Sequence, residues 1–379
     1  MKILVINTTY RVFGGEDSNI QDEIDFLNKY HEVSYLEYKN SEKVSIFEIL
    51  SFFINSNIKS NLKLKHTINK FNPDLIYVHN TWFKAHLGVF KVLKKSNKKV
   101  LLKLHNFRYD CTRSFLVKNH LNGTELCFRC GLQKRRLNFF NIYFPANPIK
   151  SFFINRYGIK YFKFFHKDFI NLVVLTKFHQ KYLVNLGIES KKIKVFPNYI
   201  KQNKYKSNYQ SSSNYIVYAG RIEGNKGVEE LVKSWLNSNT VFELMIIGEG
   251  PQLQNLRNKY NNPSIKFFGA LDHFETLEMI KNARCVVTAT KMYEGQPRLL
   301  SEASLFGVPS IFPKFGGMHE FFPNDYPLAF EQFNYSDLIE KINLIEDEAS
   351  LEQLSDQILK FFENEFSEEV HKSKFDNIL

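Results

Sequence analysis

The sequence predicts an α/β protein of two doubly wound, Rossmann-like domains. Three observations lead there. Short apolar runs of strand length alternate with amphipathic stretches of helix length, the pattern of a parallel sheet covered by helices. That pattern runs twice, once over about the first 200 residues and again from Tyr215. Between the two series lies 201–214, polar and poor in apolar side chains, with Gln210-Ser211-Ser212-Ser213 at its centre, which reads as a linker. At 379 residues the chain suits two domains, 1–200 and 201–360.

The first series opens with Lys2–Asn7 as a strand and a polar loop ending at Gly14-Gly15. A helix follows from Glu16 to about Tyr30, spaced by Ile20, Ile24 and Leu27. A glycine pair ahead of a helix start suits close approach of an anion to the backbone, and it suits a plain loop equally well. His31–Glu37 reads as the second strand and Val44–Ile58 as a helix. Asp74–His79 and Lys99–His105 are short buried strands, each ending in His-Asn. Ligands of parallel sheets gather beyond the carboxyl ends of strands, so His79 and His105 are placed to meet one. Of the two, His105 is preferred as functional over a histidine that merely ends a strand. Residues 107–150 form a long insertion. Leu172–Thr176, the helix Lys177–Leu186 and the strand Ile193–Asn198 complete the series.

In the second series, the strand Tyr215–Ala219 leads into Gly220-Arg221-Ile222-Glu223-Gly224-Asn225-Lys226-Gly227 and a helix through Trp235. Arg221 offers a planar donor fork and Lys226 a point charge beside a helix start, a combination that suits a diphosphate. The loop lacks the glycine spacing and the Ser/Thr of a Walker loop, and it is not GxGxxG. Phe242–Ile247, Ile265–Phe268, Cys285–Thr290 and Val308–Phe312 are further strands. Helices are expected from Gly248 to about Tyr260, over Glu275–Lys281, and from Pro297 to about Phe306. The rest is mostly helical. The loop after the Cys285 strand holds Tyr293-Glu294-Gly295-Gln296-Pro297, and Glu302 follows about two helical turns after Glu294. This spacing can set one carboxylate at each end of a ligand, or it can be two solvated helix glutamates.

Composition excludes several classes. Hydrophobic residues make up 44% and charged residues 24%, so the chain is an ordered globular one. No window of 18 apolar residues occurs and the start reads as a strand, which points to a cytoplasmic chain without a membrane span. The net charge of +12 is uneven: residues 51–200 hold 28 bases against 5 acids, whereas 201–379 hold 18 against 25. An anionic partner for the first half follows, whether nucleic acid, an anionic membrane surface or a phosphate-bearing substrate.

Gly220-Arg221 with Lys226-Gly227, Ile247-Gly248-Glu249-Gly250-Pro251, Phe268-Gly269, Glu294-Gly295 through Glu302-Ala303, and Gly307-Val308-Pro309 occur in one order and spacing. Together with Gly14-Gly15, the His105 strand end and Lys192 to Asn198, this set resembles the family-four retaining glycosyltransferases, the glycosyl transferases group 1, with the GT-B fold. The resemblance covers nearly the whole chain. It implies two facing Rossmann-like domains with a cleft between them. The first would bind the acceptor and be completed by a terminal helix at 361–379; the second would bind a nucleotide diphosphate-sugar. The implied reaction is metal-independent hexosyl transfer with retained anomeric configuration, and no Asp-x-Asp motif is present. Arg221 and Lys226 would hold the diphosphate. Glu294 would take hydroxyls of the donor sugar, helped by the main chain at Gly295, Gln296 and Pro297, and Glu302 would take the ribose. His105 would lie near the reacting sugar and Gly15 near the phosphates or sugar. Gln296-Pro297 stands where many members carry Phe-Gly, which leaves the sugar open. A UDP-sugar is favoured over a GDP-sugar, with a glycan or lipid-linked glycan acceptor in surface polysaccharide assembly.

Three features stand apart. Cys111, Cys127 and Cys130 include a C-x-x-C and can form part of a structural zinc site or a reduced, metal-free cluster, with His120 as a candidate fourth ligand. Cys285 lies in an apolar strand and reads as core. The stretch 139–169 interleaves aromatics with bases; it reads as a patch peripheral to an anionic membrane, or as a basic helix whose rings fill the core. The alternatives to transfer are a nucleotide-sugar epimerase of the same architecture and a nucleic-acid-binding protein that uses the basic half, the latter disfavoured by the resemblance.

Overall fold

A computed structural model of the chain describes residues 1–9, 14–40, 51, 54–107, 109, 148–201, 209 and 212–379. It divides into two compact units, the first ending at Lys201 and the second running from Gln202 to Asn377.

The first unit carries β1 (Lys2–Thr9), α1 (Gly15–Asn28), β2 (Glu32–Lys39), α2 (Ile58–Phe71), β3 (Leu75–Val78), α3 (Gly88–Ser96), β4 (Lys99–Leu104), α4 (Pro148–Phe165), β5 (Ile170–Val174), α5 (Lys177–Asn185) and β6 (Ile193–Val195). Its strands lie in the order β2-β1-β3-β4-β5-β6, all parallel. Strands covered on both faces need continuous apolar runs, and Leu75–Val78 is fully buried along its length. The order reverses between β1 and β3, so the loops leaving those two strands flank a topological switch point.

The second unit carries β7 (Tyr215–Ala219), α6 (Val228–Leu236), β8 (Glu243–Ile247), α7 (Leu253–Lys259), β9 (Ile265–Gly269), α8 (His273–Lys281), β10 (Cys285–Val287), α9 (Arg298–Leu305), β11 (Ser310–Pro313), β12 (Ala329–Phe330), α10 (Tyr335–Leu344), α11 (Glu348–Phe366) and α12 (Glu368–Asp376). Its order is β12-β11-β10-β7-β8-β9, again all parallel, with the switch point between β7 and β10. Each of the two units is thus a Rossmann-like sheet, as the alternation implies.

Most boundaries lie within three residues of the expected ones, as helix and strand ends do, but α7 starts at Leu253, five residues after the expected Gly248, whose φ of +136° is not helical. The Cys285 strand ends at Val287 and its expected tail to Thr290 is loop. Pro297 caps α9 from outside, in extended backbone, rather than opening it. Helices α2 and α3 have no counterpart in the sequence reading. In α2 the apolar period is blurred because Leu64 and Ile68 face the core while Ile58 and Leu62 face solvent. Its ends are marked by polar caps: the Asn57 side chain accepts from the Ser60 N–H at its start, and Asn72 takes the left-handed conformation at its end. In α4, Tyr157, Tyr161 and Phe165 repeat every four residues and are buried, so these rings fill the core while Arg156 and Lys163 stay exposed. Cys285 is buried, as expected of a core residue. The Val44–Ile58 helix expectation and the cysteines Cys111, Cys127 and Cys130 lie outside the described residues, wholly or for the most part. Among the described residues, no helix is long and apolar enough to cross a membrane.

Candidate functional site

The loops that leave β7 and β10 meet beside the switch point of the second sheet. Their backbones touch: Lys291 N–H donates to the Asn225 carbonyl at 3.0 Å. Gly227 allows this approach, because a Cβ there would stand 1.9 Å from the Ala289 carbonyl oxygen, at a φ of +68°. The close approach brings Lys226 to Glu294 across 68 residues of sequence. Lys226 Nζ donates to Glu294 Oε1 at 2.6 Å, and the Thr290 hydroxyl donates to the same oxygen at 3.0 Å. Both charged side chains stay partly exposed. Thr290 is itself anchored, as Gln332 Nε2 donates to its carbonyl at 3.1 Å. Lys291 pairs with Glu230 in the first turn of α6, which ties the two loops at a second point.

Arg221 is not part of that contact. Its Nε bonds Glu223 Oε1 at 2.6 Å and its side chain is 75% exposed. Its carbonyl is fixed by the Tyr218 hydroxyl, 2.9 Å away. Glu302 is buried in α9, and its Oε1 accepts from Arg298 Nε at 2.6 Å, with His273 Nε2 3.8 Å away. Gly295 and Gln296 are buried in the turn before α9, where the Gln296 amide donates to the Ser301 hydroxyl at 3.4 Å. Tyr293 beside them stacks on Phe315 at 4.3 Å between ring centroids.

In the first unit, the carboxyl ends of β3 and β4 bring His79 and His105 together. Nδ1 of His79 lies 2.9 Å from Nε2 of His105, so one proton is held between the rings. Burial pushes both imidazoles well below their ordinary pKa. The neighbouring ring and Lys103 push His79 further, and Lys103 and then His179 do the same to His105. The pair is therefore neutral at pH 7. Lys103 is fully buried and paired to the equally buried Glu23 of α1 at 2.7 Å, and the Tyr77 hydroxyl donates to the other carboxylate oxygen at 2.8 Å. This pairing pins α1 to β3 and β4. Gly15 opens α1, and the first turn already carries Glu16 and Asp17; Asn106, next to His105, donates to Glu16 at 3.2 Å.

Residues 200–365 match the family model described as Glycosyl transferases group 1. The match spans nearly the whole of the second unit, which is thus similar to group 1 glycosyl transferase domains. Solved structures match over the whole chain. The apo form of the lipopolysaccharide outer core galactosyltransferase WaaB shares 15% identity and a TM-score of 0.65, over 100% of this chain and 98% of that one. HepE of Anabaena, in complex with UDP and glucose, shares 14% and 0.65, over 100% and 99%. Sucrose-phosphate synthase of Thermosynechococcus elongatus shares 14% and 0.72, over 100% and 98%. At such identity the likeness is one of fold, the two Rossmann-like domains of GT-B proteins. No curated protein matches the sequence significantly.

Within the second unit, sequence reasoning named Lys226 and Glu294 but missed Thr290, which binds the same carboxylate. It also missed Arg298 and His273, which surround Glu302. Arg298 and Glu302 stand four residues apart on one helix, a spacing that by itself flags an ion pair. His273 and Thr290 carry no such signal, since only folding brings them near.

Proposed function

We propose that the chain is a retaining glycosyltransferase that moves a hexose from a nucleotide diphosphate-sugar to a glycan or lipid-linked glycan acceptor. The observation that carries this reading is the Lys226–Glu294 contact beside the β7/β10 switch point, where doubly wound sheets take ligands. A cation and a carboxylate held together there suit a donor whose diphosphate and sugar adjoin. Lys226 would turn to the diphosphate and Glu294 to the sugar hydroxyls, with Thr290 keeping the carboxylate oriented. Arg221, exposed at the end of β7, supplies the second cation, and Glu302 the ribose contact. His105 and Gly15 are assigned to the reacting sugar and the donor phosphates on the resemblance.

In the reaction, the bond from C1 to the diphosphate oxygen breaks and a bond to the acceptor oxygen forms on the same face. The acceptor proton passes to the departing phosphate oxygen, so no separate protein base is needed. Negative charge grows on the leaving diphosphate, and cations already in place stabilise it without reorganisation. A UDP-sugar is favoured, since HepE holds UDP and the S. aureus protein TarM was solved with UDP. We place the reaction in surface polysaccharide assembly, without a catalytic metal and at an anionic membrane face.

The test is a panel of nucleotide sugars with two readouts. A donor bound by the native state alone raises the thermal midpoint, and transfer to an added glycan acceptor yields free nucleoside diphosphate with the anomeric centre retained. Stabilisation with isomerised donor and no transfer would favour an epimerase instead. No stabilisation by any nucleotide sugar would refute the reading.

A further inference from the structure

Helix α2 has a surface unlike any other described in the chain. Its buried row is Ser60, Leu64 and Ile68. Turned away from that row are Ile58 and Leu62, one helical turn apart and 67% and 61% exposed; Ile54, ahead of the helix and separated from it by Asn55 in the left-handed region and the Asn57 cap, is 62% exposed. Three aliphatic side chains stand in water within nine residues, whereas a soluble helix of this length normally turns its aliphatics inward. Lysines flank them. Lys59, Lys63, Lys65 and Lys70 are all exposed on the same helix. Residues 51–109 contain one acid, Asp74, against twelve bases.

The basic character continues over the neighbours of α2. Helix α3 packs against it and exposes Lys91, Lys94 and Lys95. Lys91 of α3 and Arg156 and Lys163 of α4 all lie close enough to Lys160 of α4 for their charges to act on it. Desolvation, and then Arg156, Lys91 and Lys163, pull the Lys160 ammonium below its ordinary pKa. Neither α3 nor α4 contains an acid, and Ile159 between these bases is a further exposed aliphatic.

We propose that α2 is the docking element by which this chain lies on an anionic lipid bilayer, with Ile54, Ile58 and Leu62 in the acyl boundary. The lysines of α2 and α3 would meet the head groups. An aliphatic ridge on lysine-bearing helices that themselves carry no acid fits an interface that is apolar just beneath a layer of negative charge. A protein partner would need a matching apolar groove rimmed by carboxylates, and a second copy of this face would set lysines against lysines. The inference rests on the membrane part of the proposed function. It moves the contact from the aromatic stretch 139–169, whose described rings largely serve the core, to a helix with no role in that reading.

The experiment is flotation of the full-length protein with vesicles of phosphatidylglycerol and phosphatidylethanolamine, and with phosphatidylcholine alone. Wild type should float with the anionic vesicles, lose this at high salt, and ignore phosphatidylcholine. Ile58→Glu with Leu62→Glu should cut vesicle-bound protein at least tenfold, as should Lys59→Glu with Lys65→Glu. Val241→Glu, at an exposed aliphatic of the other unit, should bind like wild type. All these side chains are exposed, so circular dichroism and donor binding should stay at wild-type levels. If both α2 variants float like wild type, the α2 assignment falls while membrane docking stands. If wild type ignores anionic vesicles, both fall. If the apolar pair instead changes the oligomeric state by gel filtration without affecting flotation, the ridge belongs to a second copy and the proposal is overturned.

Discussion

Lys103→Met tests the pair that pins α1 to the first sheet. Lys103 and Glu23 are both fully buried, 2.7 Å apart, and Lys103 has a second, weaker acceptor in the Pro197 carbonyl at 3.3 Å. Methionine nearly matches lysine in volume, so little cavity is made. What remains is a buried carboxylate whose described partner is the Tyr77 hydroxyl. An uncompensated buried charge of this kind costs about 3–5 kcal/mol. The chain has two tryptophans, Trp82 in the first unit and Trp235 in the second. In a Trp235→Phe background, Trp82 fluorescence during urea unfolding therefore reports the first unit alone. Adding Glu23→Gln removes the orphaned charge and keeps an acceptor for Tyr77, so the double variant should return to within about 2 kcal/mol of the parent. A second readout is the imidazole titration by NMR. Burial and then Lys103 are among the causes that hold His105 low, so its pKa should rise toward the ordinary value in Lys103→Met. A single variant within about 1 kcal/mol of the parent, no recovery in the double and an unmoved His105 would together refute the reasoning.

Acid should weaken the first unit. Burial lowers His179 from 6.5 to about 3 and, with Lys84 adding to it, His86 to about 4, so the unfolded chain binds more protons below 6.5. Their stabilisation is complete above pH 6.5 and is lost as pH falls, by about 2 kcal/mol each at pH 5; a Trp82 transition unchanged between pH 7 and 5 would contradict this. Gly248→Ala should lower the Trp235 transition by about 2 kcal/mol or more, since φ is +136° and a Cβ would stand 1.9 Å from the Gly220 carbonyl. Gly14→Ala should be near neutral, because a Cβ there meets nothing within 4 Å; equal losses in both would discount the steric account. Glu302→Ala should raise the donor KM about tenfold or more with kcat little changed, the mark of a contact made equally before and during reaction. A fall in kcat alone would move Glu302 out of the ribose role.

The double α/β series was legible because strands buried on both faces write uninterrupted apolar runs, as Leu75–Val78 and Tyr215–Ala219 do. Helix α2 was not, since its apolar residues point both inward and outward and cancel the period. Lys226 and Glu294 were legible as chemistry, and the resemblance supplied their roles. Their direct contact was not, because it depends on two loops meeting at Gly227 and Ala289. Glu302 looked like an open carboxylate in the sequence, yet folding closes Arg298 over it. The tie between His79 and His105 was equally hidden: two His-Asn strand ends can be seen in the chain, but only the adjacency of β3 and β4 makes them partners.

The central claim is that Lys226 and Glu294 hold the two ends of a sugar–phosphate bond. It is tested most directly by measuring sugar transfer from the donor that stabilises the wild-type protein, in Lys226→Ala and in Glu294→Ala. Each should lose about 10²–10³ in kcat, the scale of removing one charge-stabilising contact from a transition state. Unchanged melting in the absence of donor would show that both variants are folded. Near-normal turnover in both would contradict the account.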